Sequence, residues 1–127
     1  MSKNNGKLQL RIKAILQEII FDLLTANKIT NYKTFIEFLL VTNLTSGICK
    51  RVDLDDKLTI YEKKLILSIL NDYRSIESHW YPTLRFDFEK NTIKPRIKDL
   101  RRIQSNLPSE WKLKWCLFKI KIKQFIK

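Results

Sequence analysis

Apolar residues recur at helical spacing over most of the chain. Leu8, Ile12, Ile15, Leu16, Ile19, Ile20, Leu23 and Leu24 mark one face of a first helix, from which Phe21 stands apart. Asn27-Lys28 closes that run, and Thr30 or Asn31 is placed to cap a second helix whose inner face is Tyr32, Phe35, Ile36, Leu39 and Leu40, ending near Asn43. In SGICKRV, Ser46 is a cap candidate, Gly47 permits close backbone approach, and Ile48, Cys49 and Val52 share the inner side of a short helix. Thr59-Ile60-Tyr61-Glu62 has the form of a capping box and opens a helix to about Tyr73, with Tyr61, Leu65, Ile69, Leu70 and Tyr73 inward.

The periodicity lapses between Ser75 and Lys94. HWYP, His79 to Pro82, is followed by Leu84, Phe86 and Phe88 alternating with charges, which suggests a short strand or an extended aromatic arm. Helical spacing resumes at Ile97, Leu100 and Ile103, with Pro95 suited to a first helical position. At 100° per residue, Lys98, Arg101 and Arg102 point away from this stripe, whereas Arg96 falls on its side and needs a partner there. SNLPSE breaks the chain again.

The last segment, EWKLKWCLFKIKIKQFIK, reads as two short strands or one helix. Helix is the better fit, capped by Ser109, because the alternation slips at Leu117-Phe118 and no turn residue intervenes. It carries two apolar faces. Trp111, Trp115, Phe118, Ile122, Phe125 and Ile126 form one, and Leu113, Leu117 and Ile120 lie opposite. Lys112, Lys119 and Lys123 flank the aromatic stripe on one side, Lys114 and Lys121 on the other.

These elements predict an all-α, single-domain protein over residues 1–127. It is a compact bundle of about five helices with an irregular aromatic arm at 75–94 and a basic amphipathic C-terminal helix at 109–127. The chain has 127 residues, two glycines and three prolines. So few chain-breakers disfavour a sandwich or barrel.

Charge sharpens the reading. The formal net charge is +12. Residues 94–127 hold 11 Lys and Arg against two Asp and Glu, while residues 1–93 hold 14 against 11. The basicity is therefore local to the C-terminal quarter, where it attracts phosphates or anionic surfaces. Cys49 and Cys116 are too few for a disulfide framework and suggest a reducing, cytoplasmic setting. The basic N-terminal stretch is broken by charges and does not read as a signal peptide, and no apolar run reaches membrane-spanning length.

Gly47-Ile48-Cys49, then a capped helix, then Trp80-Tyr81-Pro82, then Arg96 with Leu100, resembles a loose group of small accessory proteins encoded by tailed bacteriophages. The resemblance spans residues 46–104. The basic Trp/Lys tail lies outside the group's pattern, and no glycine precedes Lys57-Leu58, where such proteins often turn. The resemblance implies a phage accessory protein that acts on the host or its defences, in the host cytoplasm, rather than building the virion.

Chemistry narrows to two groups of residues. Gly47, Cys49, His79, Trp80, Tyr81 and Arg96 form a candidate ligand-binding group, in which an aromatic floor under a guanidinium suits a nucleobase with phosphate. The same residues also fit a structural clasp. Lys98, Arg101, Arg102, Lys112, Lys114, Lys119, Lys121 and Lys123 form a candidate phosphate or nucleic-acid surface, with Trp111 or Trp115 available for stacking. DLDD fails as a calcium loop because lysines fall at ligand positions and no glycine marks the bend. Cys49 and His79 have the residue types of a nucleophile pair but no placed third member.

The expectation is a non-enzymatic protein without cofactor or metal that binds a phosphate-bearing partner. That partner is a nucleotide signal or host defence protein, whose sequestration inhibits host defence. DNA or RNA bound through the basic C-terminal helices is an alternative, and so is an anionic membrane surface met by the last helix. A homo-oligomer through Trp111, Trp115, Phe118, Ile122 and Phe125 is also expected, since that stripe otherwise faces water.

Overall fold

The computed structural model describes residues 7–70 and 93–126. These form six helices and, among the described residues, no strand: α1 (Lys7–Lys28), α2 (Tyr32–Val41), α3 (Ile48–Asp53), α4 (Ile60–Ile69), α5 (Ile93–Ser105) and α6 (Glu110–Ile126). The all-α expectation holds, and the last segment is helix rather than paired strands. The aromatic arm, with His79, Trp80 and Tyr81, lies outside the described residues, as does Tyr73.

The long helix α1 organises the core. Ile12, Ile15, Leu16, Ile19, Ile20, Leu23 and Ala26 are buried along it, and Phe21 is 64% exposed, as its departure from the stripe predicts. Helix α5 packs along α1, α6 packs against both α4 and α1, and α3 packs against α4. One cluster results, joining Phe35, Leu39, Leu44, Ile48, Val52, Leu65, Ile66, Ile93, Ile97, Leu100 and Leu113 to the α1 face.

Local chemistry sets the helix ends. The Asn31 side chain accepts from the Thr34 N–H at 2.9 Å and caps α2. Helix α2 ends in a Schellman arrangement. Leu44 N–H donates to Leu39 C=O at 2.7 Å, Asn43 N–H donates to Leu40 C=O at 3.1 Å, and Asn43 takes the left-handed turn at φ 61°. Leu39 and Leu44, the apolar pair this motif brings together, are both fully buried. Leu40 is exposed rather than inward, because the buried arc of this short helix runs through Phe35 and Leu39 and Leu40 lies one step past it.

Helix α3 departs from expectation at its start. Gly47, not Ser46, is the cap residue, and no side chain caps it. Its backbone sits at φ 103°, ψ 171°, a conformation open essentially to glycine alone. The Gly47 N–H donates to Leu44 C=O, and its own carbonyl accepts from the Arg51 N–H. Thus Gly47 joins the α2 terminus directly to the first turn of α3, and seats Ile48 and Val52 in the core.

The Thr59–Glu62 capping box of α4 forms in both directions. Glu62 also pairs with Arg11 at 3.0 Å, and Arg11 reaches the Lys57 carbonyl at 2.8 Å, which ties α1 to the entrance of α4. Helix α5 begins at Ile93, two residues before Pro95. Proline is tolerated there because first-turn N–H groups have no intrahelical acceptor, and burial of Ile93 draws the helix start forward.

Candidate polyanion-binding surface

Helix α6 is held by its inner face. Leu113 is buried, and Cys116, Leu117 and Ile120 pack against the core. This is the side opposite the aromatic stripe, so the structure covers one of the two apolar faces and leaves the other in water. Trp111 is 72% exposed, Trp115 52%, Phe118 50% and Ile122 37%. The side chains of Phe125 and Ile126 lie outside the described residues. Trp115 and Phe118 stack with centroids 5.7 Å apart at 28°, and the Lys119 ammonium sits 5.8 Å from the Trp115 ring centre.

The acidic end of α6 is turned inward. Glu110 accepts the Gln9 N–H at 2.8 Å and the Leu8 N–H at 3.1 Å, and Gln9 Nε2 donates to Pro108 C=O at 2.8 Å. The carboxylate thus satisfies two orphan amides of the first turn of α1, which contains no acidic residue of its own. Burial pushes the Glu110 pKa up, but the Gln9 and Leu8 amides and the Lys114 ammonium outweigh it and hold the carboxyl below its ordinary value. This long-range cap was missed in the sequence. The acid at the first position of α6 marks an ordinary helix start, and nothing local shows that it serves another helix.

All eight basic residues singled out from the sequence are exposed. On α5, Ile93, Ile97 and Leu100 face α1 and the core, leaving Lys98, Arg101 and Arg102 on the solvent side. Arg102 meets Asp99 at 3.5 Å and Lys114 meets Glu110 at 3.5 Å. Among the described residues, no carboxylate lies within 4.0 Å of Lys98, Arg101, Lys112, Lys119, Lys121 or Lys123. Lys121 instead lies over the Tyr61 ring of α4 at 5.8 Å.

The second candidate group is placed only in part. Gly47 and Cys49 open α3, with Cys49 half-buried and outside any disulfide. Arg96 is half-buried on the core side of α5, where the helical projection puts it, and its Nε and Nη1 are shielded from solvent. His79, Trp80 and Tyr81 belong to the segment outside the described residues.

A shallow depression of about 330 Å³ between α1, the α2–α3 turn and the α3–α4 turn is lined by Asp22, Arg51, Asp55 and Lys57 among others. Both of its cations are matched within the protein. Arg51 Nη1 meets Asp22 at 2.6 Å and the Thr42 carbonyl at 3.0 Å, and Lys57 meets Glu18 at 3.3 Å. Asp55 and Asp56, also in its lining, have no cation within 4.0 Å among the described residues, so the depression is acidic on balance and does not suit a phosphate. Among the described residues no group of three or more His, Cys, Asp or Glu is placed to hold a metal ion, and no helix is long and apolar enough to cross a membrane.

No protein-family model, curated protein or solved structure matches this chain.

Proposed function

We propose that this chain is a non-enzymatic accessory protein that binds a phosphate-bearing polyanion through the outward faces of α5 and α6. The observation that carries this reading is the set of six exposed cations with no carboxylate of the described residues in reach, on two consecutive helices whose opposite faces form the core. Such charges keep their full field toward a partner, unlike cations paired on their own surface. The two acids of these helices, Asp99 and Glu110, are engaged by Arg102 and by the first turn of α1.

Retention on heparin, and its salt dependence, test the reading. Each phosphate contact contributes nearly one unit of slope in a plot of log affinity against log salt. Replacing Lys98, Arg101 and Arg102 together by Gln is expected to lower the slope by about two to three units, the lower figure applying if Arg102 stays with Asp99, and to leave the melting temperature close to that of the parent. Unchanged elution from heparin would remove α5 from the binding surface.

A second reading follows from the phage-type pattern and from Arg96, whose guanidinium is directed to the inside of the fold. Here the Gly47–Cys49 and Arg96 region, with the His79–Tyr81 segment, holds a nucleotide signal of a host defence system. Nucleotide released from the purified, heat-denatured protein supports it, and a protein that purifies free of nucleotide and binds none opposes it.

A further inference from the structure

We infer that the outward face of α6 is an interfacial membrane-docking surface, with a bilayer rich in anionic phospholipid as its occupant; this rests on the polyanion reading above and names the partner class. Trp111, Trp115, Phe118 and Ile122 line up over three turns, about 16 Å of helix at 1.5 Å per residue. Lys112, Lys119 and Lys123 flank the stripe on one shoulder and present ammonium groups on flexible stems, while on the other shoulder Lys114 meets Glu110 and Lys121 lies over the Tyr61 ring, both still exposed. Such stems reach lipid phosphates while the stripe between them enters the headgroup boundary, where tryptophan rings are favoured.

Three observations select this occupant. First, the only acid of α6, Glu110, is 10% exposed and turned toward α1, so no acid of this helix interrupts its outward face. Second, a second copy of this face would set five lysines from each protomer against each other around the same stripe, a like-charge arrangement that a bilayer of opposite sign avoids. Third, a single-stranded nucleic acid needs open ring faces, and Trp115 already has Phe118 stacked on it and Lys119 near it. Ile122 offers no ring at all. A hydrocarbon boundary requires only apolar bodies, which all four residues supply.

The test uses the full chain with vesicles of phosphatidylcholine alone and of phosphatidylcholine mixed with phosphatidylglycerol, read by co-sedimentation and tryptophan emission. Binding to the mixed vesicles with a blue shift is expected, with little binding to phosphatidylcholine. Replacing both Trp111 and Trp115 by Ala is expected to weaken vesicle binding at least about tenfold while heparin retention persists, and circular dichroism checks that the helices remain. Lys112→Gln with Lys121→Gln is expected to weaken it about tenfold or more, given two charges near the surface. Heparin retention without vesicle binding would overturn the membrane inference and leave the polyanion reading standing; failure of both would overturn both. Equal binding to the two vesicle types would overturn the anionic selectivity. Tight binding of a single-stranded oligonucleotide with tryptophan quenching, vesicles being ignored, would assign the face to nucleic acid. A stable dimer whose tryptophans resist acrylamide without lipid would assign it to a second copy.

Discussion

Glu110 Oε1 accepts the backbone N–H of Gln9 at 2.8 Å, joining positions 101 residues apart. With the Leu8 N–H on Glu110 Oε2, one carboxylate at the start of α6 caps the start of α1 and ties the two helix starts together. Glu110→Ala is expected to cost about 2 kcal/mol, the upper range for a lost cap, since two amides lose a charged acceptor at once. Chemical denaturation of parent and variant checks this. A loss below a few tenths would mean that water replaces the carboxylate.

The same group predicts a pH dependence. Its folded pKa lies below the ordinary value of 4.5, because the two amides and Lys114 outweigh the burial that raises it. Its contribution is therefore present in full above that value and is lost as pH falls through the lower folded pKa. The stability gap between parent and Glu110→Gln is expected to hold at neutral pH and to narrow as pH falls below the ordinary carboxylate value and through the lower folded one. A gap that stays constant, measured by thermal melts at each pH, would contradict the charged cap.

Gly47 supplies a backbone test. At φ 103° and ψ 171° a Cβ clashes, so Gly47→Ala is expected to cost about 1–3 kcal/mol without touching any exposed residue. The variant is also expected to increase hydrogen exchange at α3 and at the Schellman turn, since the Gly47 N–H to Leu44 contact connects them. Unchanged stability would mean that the turn relaxes to another conformation.

The elements readable in the sequence are those whose determinants are local. Thr59 and Glu62 lie three residues apart and form the capping box that this spacing announces. The phase of α5 followed from three isoleucine and leucine positions, and placed Arg96 inward and Lys98, Arg101 and Arg102 outward as the structure has them. What periodicity left open is which of two apolar faces of α6 the core takes. The sequence presents Trp111–Phe118 and Leu113–Ile120 alike, and the choice depends on how α4 and α1 receive the helix. Glu110 was illegible for a similar reason, since its partners lie at the other end of the chain. Ser46 looked like a cap by residue type, but the chain needs positive φ at the next position, and only Gly47 supplies it cheaply.

Asp22 and Arg51 join α1 to α3 at 2.6 Å, with side chains 21% and 14% exposed. The guanidinium also holds the Thr42 carbonyl at the α2 terminus, so Arg51→Ala removes two bonds and leaves Asp22 unpaired. A loss of about 1.5–3 kcal/mol is expected. Asp22→Asn is expected to lose less, since the Thr42 contact survives. A double-mutant cycle on the two positions is expected to show a coupling of about 0.5–2 kcal/mol. Strict additivity would mean that the pair is solvated and structurally idle.

The two faces of α6 are expected to respond oppositely to truncation. Leu113 is buried beneath the helix, and Leu113→Ala leaves a cavity at the junction with the core, at a cost of about 2–5 kcal/mol. Trp111, nearly three-quarters exposed, has little to lose on folding, and Trp111→Ala is expected to change stability by less than about 0.5 kcal/mol. Denaturant midpoints for the two variants separate a core face from an unpartnered one on the same helix. Equal losses would mean that the Trp111 stripe is packed within the folded chain, which would leave no free apolar face for a partner. A large loss at Leu113 with none at Trp111 means instead that the exposed tryptophan contributes nothing measurable to the isolated fold, as expected of a side chain kept for contact outside it.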